Sequence, residues 1–304
     1  MPKGEDMAID LRNIPEEKQT YEMCLASVLA DGRQLRYVNT SFQTNELCLA
    51  AVRERGEAIR YVKNQTLELR LEAVKRSVRA LRYMKEQTSE ICLAAIKENA
   101  YAVHYIEPSL LTPELYLAAV KQNGTVLQFI KSPTPEIRLA AVKQDGWALQ
   151  FIPKQDQTSE LCLEAVKHDG YALKYVETQS PEICLAAVKQ NGNALCYVKS
   201  QTPELCLAAV QRTPWALVFV KDQTPEICLE AVKQNGLALE HVPQTKQTLA
   251  IALAALKQNP DSREYLAGRF RTPEVYEAAG CDYKPEDLAL SRNNTSLDRT
   301  KESH

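Results

Sequence analysis

From Gln19 onward, apolar and polar positions recur in one order eleven times. The consensus is Gln-Thr-Pro-Glu-Ile-Cys-Leu-Ala-Ala-Val-Lys-Gln-Asn-Gly-x-Ala-Leu-x-Tyr-Val plus a short variable end. Six copies span 22 residues and five span 24, together covering Gln19 to Phe270. With Gln as slot 1, slots 5, 6, 7, 9 and 10 hold Ile or Leu, Cys, Leu, Ala and mostly Val, a broad apolar stripe at helical spacing. Slots 8, 11 and 12 are expected to face water. Slot 2 is Thr, or Ser180 once, a side chain that caps a helix start with its hydroxyl. Pro at slot 3 in five copies and Glu at slot 4 in all but one suit a first helical turn. Gly at slot 14 in seven copies, mostly after Asn or Asp, predicts a left-handed helix stop. The first helix should therefore run about ten residues, two to three turns.

The second segment, x-Ala-Leu-x-Tyr-Val, carries another apolar stripe at slots 16, 17 and 20. A strand is the rival reading, but Ala-Leu-x-x-Val spacing favours a helix. Neither helix is long enough to stand alone, so stacking must supply the stability. The expected fold is all-α: an α-solenoid of about eleven short αα-hairpin repeats with partial capping repeats at both ends. Residues 1–18 read as an N-terminal half repeat, because Leu11 to Thr20 parallels Leu239 to Thr248. The array fills 19–270, a partial C-terminal cap 271–290, and 291–304 has the polarity of a disordered tail. The extra residues of longer copies fall after the second helix and should lengthen loops on one edge.

The string Thr-Pro-Glu-Ile-Cys-Leu-Glu-Ala-Val-Lys-Gln-Asn-Gly-Leu-Ala-Leu, Thr224 to Leu239, resembles the bacterial domain-of-unknown-function 4116 repeat family. The resemblance covers nearly the whole chain. It implies an all-helical repeat and a bacterial or phage-related source, and it brings no activity and no catalytic residues.

Composition narrows the choices. The 304 residues are 45% hydrophobic and 25% charged, with a net charge of -2, which gives no global pull toward nucleic acid or membrane. No apolar run reaches the roughly 20 residues that a membrane span needs. The polar start, Met1 to Asp6, leads to the expectation of no secretory signal and a reducing, cytoplasmic location, with delivery into a host cell as an effector left open. Seven of nine cysteines (Cys24, Cys48, Cys92, Cys162, Cys184, Cys206, Cys228) share slot 6. Side chains one repeat apart, about 8–10 Å for stacked helices, are too distant for disulfides. They read as small buried apolar residues. Arg70, Tyr116 and Arg138 replace Cys in that slot, and the two arginines must snorkel out or find a partner.

Catalysis has little support. His104, His168, His241 and His304 match no nucleophile or metal spacing, and no phosphate-binding glycine loop occurs. The expectation is no enzyme, no catalytic residue, no cofactor and no metal. Variation between copies points to binding instead. Slot 19 is Tyr or Phe in ten copies, a column read as inter-repeat packing with base stacking as the rival. Slots 15 and 18 vary freely, and being three apart they share one side of the second helix. Slot 15 carries Tyr101, Trp147, Tyr171 and Trp215, side chains typical of interface anchors, although they could simply cover the next hairpin. Slot 18 carries Arg36, Arg60 and Arg82, continuing from Arg12, with Arg33 and Arg79 beside them in slot 15. The bland reading of this arginine ladder is a solvated face. The leading expectation is a scaffold gripping a protein partner, as an inhibitor, immunity or effector protein. The alternative is a single-stranded nucleic-acid binder using the arginine ladder.

Overall fold

The computed structural model describes residues 10–284. Among them there is no strand, and the fold is an all-α solenoid in which two kinds of helix alternate. Two compact units, Met1–Gln144 and Asp145–His304, divide the chain. In the first, the α-helices are α1 (Tyr21–Ala30), α2 (Asn45–Glu54), α3 (Leu67–Arg76), α4 (Ser89–Glu98), α5 (Pro113–Gln122) and α6 (Pro135–Gln144). In the second they are α7 (Ser159–His168), α8 (Pro181–Gln190), α9 (Pro203–Arg212), α10 (Pro225–Gln234), α11 (Leu249–Gln258) and α12 (Pro273–Ala279). Within each unit successive α-helices pack side by side, and helices such as α2, α3, α8 and α9 contact both the 3-10 helix of their own repeat and that of the repeat before.

The ten-residue α-helices form as expected. Each begins at the slot 2 hydroxyl, which accepts from the slot 5 N–H, as Thr44 does from Leu47 at 3.2 Å and Ser180 from Ile183 at 3.3 Å. Slots 5, 6, 9 and 10 are buried, as in Leu47, Cys48, Ala51 and Val52. The Leu of slot 7 departs from the expectation: Leu93 is 37% and Leu185 36% exposed. At 3.6 residues per turn, slot 7 lies about 60° beyond slot 10, at the edge of the buried arc.

The second helices are 3-10 helices, of six residues in nearly every copy, such as Gly56–Tyr61 and Gly170–Tyr175. Runs this long are uncommon because the hydrogen-bond geometry is poorer than in an α-helix. The sequence supports them with a period of three. Slots 14, 17 and 20 eclipse one another on a buried edge, as in Gly170, Leu173 and Val176, while slots 15 and 18 eclipse on an outer edge.

The glycines correct one expectation. None of the slot 14 glycines has positive φ; among the described residues only Gly280, after α12, is left-handed, at 73°. Slot 13 is instead the N-cap of the 3-10 helix, and Asp169 accepts from the Tyr171 N–H at 2.9 Å. Where slot 14 is Gly, it accommodates a close approach. A Cβ would sit 2.5 Å from the Ala73 carbonyl oxygen at Gly56 and 2.6 Å from that of Ala187 at Gly170. The freed N–H reaches slot 12 of the next repeat, Gly170 donating to Gln190 Oε1 at 2.7 Å. Slot 12 therefore clamps its neighbour, although its stem lies at the surface.

Slot 1 ties repeats together. Gln87 Nε2 donates to the Leu81 carbonyl of the preceding 3-10 helix at 3.1 Å and to the Tyr105 carbonyl of its own at 2.9 Å. Its Oε1 accepts from the Glu107 N–H at 2.9 Å. Gln179 repeats this with Leu173, Tyr197 and Lys199. The buried Arg271 takes over in the last copy, donating to Leu266 and Glu264 carbonyls. Slot 6 thiols lie against this glutamine, Cys24 Sγ standing 3.5 Å from Gln19 Oε1. Where slot 1 becomes Leu111 or Pro133, the slot 6 Cys is replaced too, by Tyr116 or Arg138. Arg70 finds a partner by donating to the Glu86 carbonyl at 3.0 Å.

The extra residues of the longer copies fold into short 3-10 turns such as Pro108–Leu110 and Lys154–Asp156. Before α1, Leu11–Asn13 and Glu16–Lys18 are single 3-10 turns, with Leu11 buried. The expected tail at 291–304, and the parts of both caps at 1–9 and 285–290, lie outside the described residues. No helix among the described residues is long and apolar enough to cross a membrane.

Candidate functional site

The outer edge of the 3-10 helices is where sequence freedom and exposure coincide. Slot 18 is exposed in every copy, and slot 15 is exposed or half-exposed. The slot 19 rings lie at the same surface, Phe129 and Phe219 each being 38% exposed, so the aromatic column belongs to this face. The inter-repeat packing expected of this column is present too, Tyr175 and Tyr197 meeting slot 15 rings of the repeat before, while slot 19 stays near the surface because it follows the exposed slot 18 by one third of a 3-10 turn.

Two contact rules build the face. The slot 15 ring of one repeat meets the slot 19 ring of the next edge to face: Trp147 and Tyr175 at 5.6 Å, Tyr171 and Tyr197 at 5.9 Å, Trp215 and His241 at 5.4 Å. In the first unit Tyr101 meets Phe129 at 6.0 Å, with His104 against the same ring at 4.0 Å. A slot 18 cation lies over slot 19 rings. Arg60 is 5.2 Å from the Tyr61 centroid and 4.7 Å from that of Tyr83, and Arg36 is 5.5 Å from Tyr37. Such pairs hold side chains in place while leaving an edge or face open.

Both tryptophans are at the surface. Trp215 is 38% exposed, beside Val218 at 52%. Trp147 is half-buried, and its indole N–H donates to Asp169 Oδ2 at 2.6 Å. Tyr171 is half-exposed and Tyr101 exposed. Arg36, Arg60, Arg79 and Arg82 are exposed, and Arg33 pairs with Asp31 at 2.9 Å. That hydrogen-bonded pairing holds the Asp31 carboxyl below its ordinary value and the Arg33 guanidinium above its own. In the second unit a depression of about 590 Å³ opens on this face, lined by Gln150, Phe151, Lys174, Tyr175, Glu177 and Lys199 among others. The Lys154 ammonium, hydrogen-bonded to Glu177, lowers that carboxyl. Farther along, Glu240, then burial and Glu264, push the Tyr265 phenol up.

The second unit also offers an apolar cleft of about 430 Å³ at α8 and α9, lined by Cys184, Leu185 and Leu205 and sharing Lys199 with that depression. Its thiol, like that of each slot 6 Cys, is raised by burial; Cys48 and Cys228 reach about 11. All nine cysteines are free, and Cys196 is the exposed one.

The description Domain of unknown function (DUF4116) matches residues 88–133, 134–180, 158–202, 202–246 and 224–271, more than half of the chain. The chain belongs to this family. Each DUF4116 match spans about two of the repeats described above, so the family unit is a pair of α/3-10 hairpins. No curated protein and no solved structure matches. The geometry of this DUF4116 array therefore has to carry the functional reading alone.

Proposed function

We propose that this DUF4116 protein is a non-enzymatic scaffold that binds a protein partner through the 3-10 face. The observation that carries the reading is the cluster Trp147, Tyr171 and Trp215 in variable slots, each ring steadied from one side by a slot 19 ring of the next repeat. Anchors of this kind lose little entropy on binding because they are already held, and large aromatic rings dominate interface energetics. An inhibitor, immunity or effector role is this same activity with a named target. Buried thiols without disulfides suit a reducing bacterial cytoplasm. The test compares proteins retained from a lysate of the source cells by the wild type and by Trp147→Ala/Trp215→Ala. Loss of one specific partner supports the reading, and an identical set on both refutes it.

A second reading, single-stranded nucleic-acid binding, draws on Arg36, Arg60 and Arg82 with Arg33 and Arg79 nearby. It requires affinity for mixed oligonucleotides that falls steeply with salt.

A further inference from the structure

In the first unit the 3-10 face carries arginine where the second carries tryptophan. Arg36, Arg60 and Arg82 occupy slot 18 of successive repeats, with Arg33 and Arg79 in slot 15, and all five are exposed. Arg60 lies between the rings of Tyr61 and Tyr83, at 5.2 and 4.7 Å, and Arg12 and Arg36 share Tyr37, at 5.7 and 5.5 Å. Stacking on a ring fixes the plane of a guanidinium but uses none of its in-plane N–H donors. Among the described residues, Arg36, Arg60 and Arg82 have no carboxylate within ion-pair distance, whereas Arg33 has Asp31. From Arg33 to Lys85 the chain holds 12 basic and 5 acidic residues.

We propose that this ladder binds an acidic polypeptide segment in extended form, with one carboxylate per repeat. The proposal rests on the reading of the 3-10 face as an interaction surface and names what its first unit takes. A guanidinium whose carbon lies over a ring, as in Arg36 and Arg60, keeps its N–H fork for a carboxylate, which accepts it two-pronged. The spacing agrees. Stacked helices lie about 8–10 Å apart, and an extended polyproline-type chain advances about 9 Å in three residues. A carboxylate at every third position therefore stays in register with successive guanidiniums. Nucleic acid fits less well, because the guanidiniums cover faces of Tyr37, Tyr61 and Tyr83 on which bases would stack.

The test is fluorescence anisotropy with the full chain and a labelled peptide of about twelve residues, four rungs long. Its Glu residues stand at every third position among Gly, Ser and Pro. One control has the same composition with the Glu residues adjacent, and another is an oligothymidine of similar length. The spaced peptide should bind most tightly. R36E/R60E/R82E should weaken it at least about 30-fold, since each lost charge pair now repels. R36K/R60K/R82K should weaken it about tenfold, because lysine keeps the charge and loses the stacked fork. Circular dichroism checks the folding of each variant, and R36Q/R60Q/R82Q replaces the reversed set if that set does not fold. Equal binding of the two peptides overturns the register. Absence of peptide binding, indifference to charge reversal, or tighter binding of the thymidine strand overturns the proposal. Trp147→Ala/Trp215→Ala should bind the peptide as the wild type does. Failure of the tryptophan capture experiment therefore speaks only to the second unit, and failure here speaks only to the ladder.

Discussion

In the first unit, slots 15 and 18 of the 3-10 helices hold Arg33, Arg36, Arg60, Arg79 and Arg82 with one acid, Glu57, among them, and then Tyr101, His104, Thr125 and Gln128. In the second unit the same slots hold Trp147, Tyr171, Trp215, Lys174 and Val218, and end in Glu240, Asp261 and Glu264. The framework beneath is unchanged. Gln87 and Gln179 make the same three bonds, and Gly56 and Gly170 admit the same close carbonyl. The comparison separates what the repeat needs to stack from what it is free to display. Scaffold substitutions should act alike in both units, and face substitutions should not.

The largest effect falls on the shared glutamines. Gln87→Ala and Gln179→Ala each strand two carbonyls and one N–H at a junction between repeats, which should cost about 2–4 kcal/mol. Urea denaturation of the two variants checks this, and a loss confined to one unit would break the equivalence. Next come Gly56→Ala and Gly170→Ala. Each Cβ would press on a backbone oxygen that can move only with its α-helix, at about 1–3 kcal/mol, read from the same denaturation curves. Val78, Ala100, Pro214 and Pro260 occupy this slot in other copies, and nothing in the structure explains how their neighbours make room.

The face should divide. Trp215→Ala should weaken a protein partner by about 2 kcal/mol with stability nearly unchanged, and calorimetric titration reads both partner affinity and any salt dependence. R36E/R60E/R82E should leave that affinity as it was. Equal sensitivity of one partner to both sets would show that the two chemistries serve a single ligand.

The smallest effect concerns the thiols, one set in each unit. Cys48 and Cys228 are held at about 11 by burial, above their ordinary 9.0. Their thiols stay protonated in the folded chain while the unfolded chain ionises, so the stability they contribute is complete below pH 9 and declines from there toward 11. Alkylation at pH 8 should therefore mark the exposed Cys196 well before either of them, and mass spectrometry of the folded chain reads the order.

How far the sequence disclosed this can be judged residue by residue. Thr44, Glu46 and the apolar Leu47, Cys48, Ala51 and Val52 give the start and the approximate ten-residue length of the α-helices, because caps and a 3.6-residue period are local signals. The 3-10 helices were legible only as helices. Their signal was the three-residue spacing of Gly170, Leu173 and Val176, which a short segment can share with an α-helix. Gly170 was misread because a close approach from Ala187 is a property of the stack, and nothing in one repeat shows it. Gln179 carried no local signal at all, since its partners Leu173 and Tyr197 belong to two successive 3-10 helices. The outward face was readable from variation alone at Trp147, Trp215, Arg36 and Arg60. The role of Tyr83 and Tyr175 in the face was not, because stacked rings remain half-exposed at a junction that only coordinates define.

The central claim is that partners meet the 3-10 edge and not the α-helical side. Hydrogen–deuterium exchange of the full chain, with and without the partner lost in the tryptophan variant, tests it directly. Protection concentrated in 146–151, 170–175 and 214–219, with α8 and α9 unchanged, is the predicted result. Protection confined to α8 and α9, around Leu185 and the cleft they enclose, would contradict it.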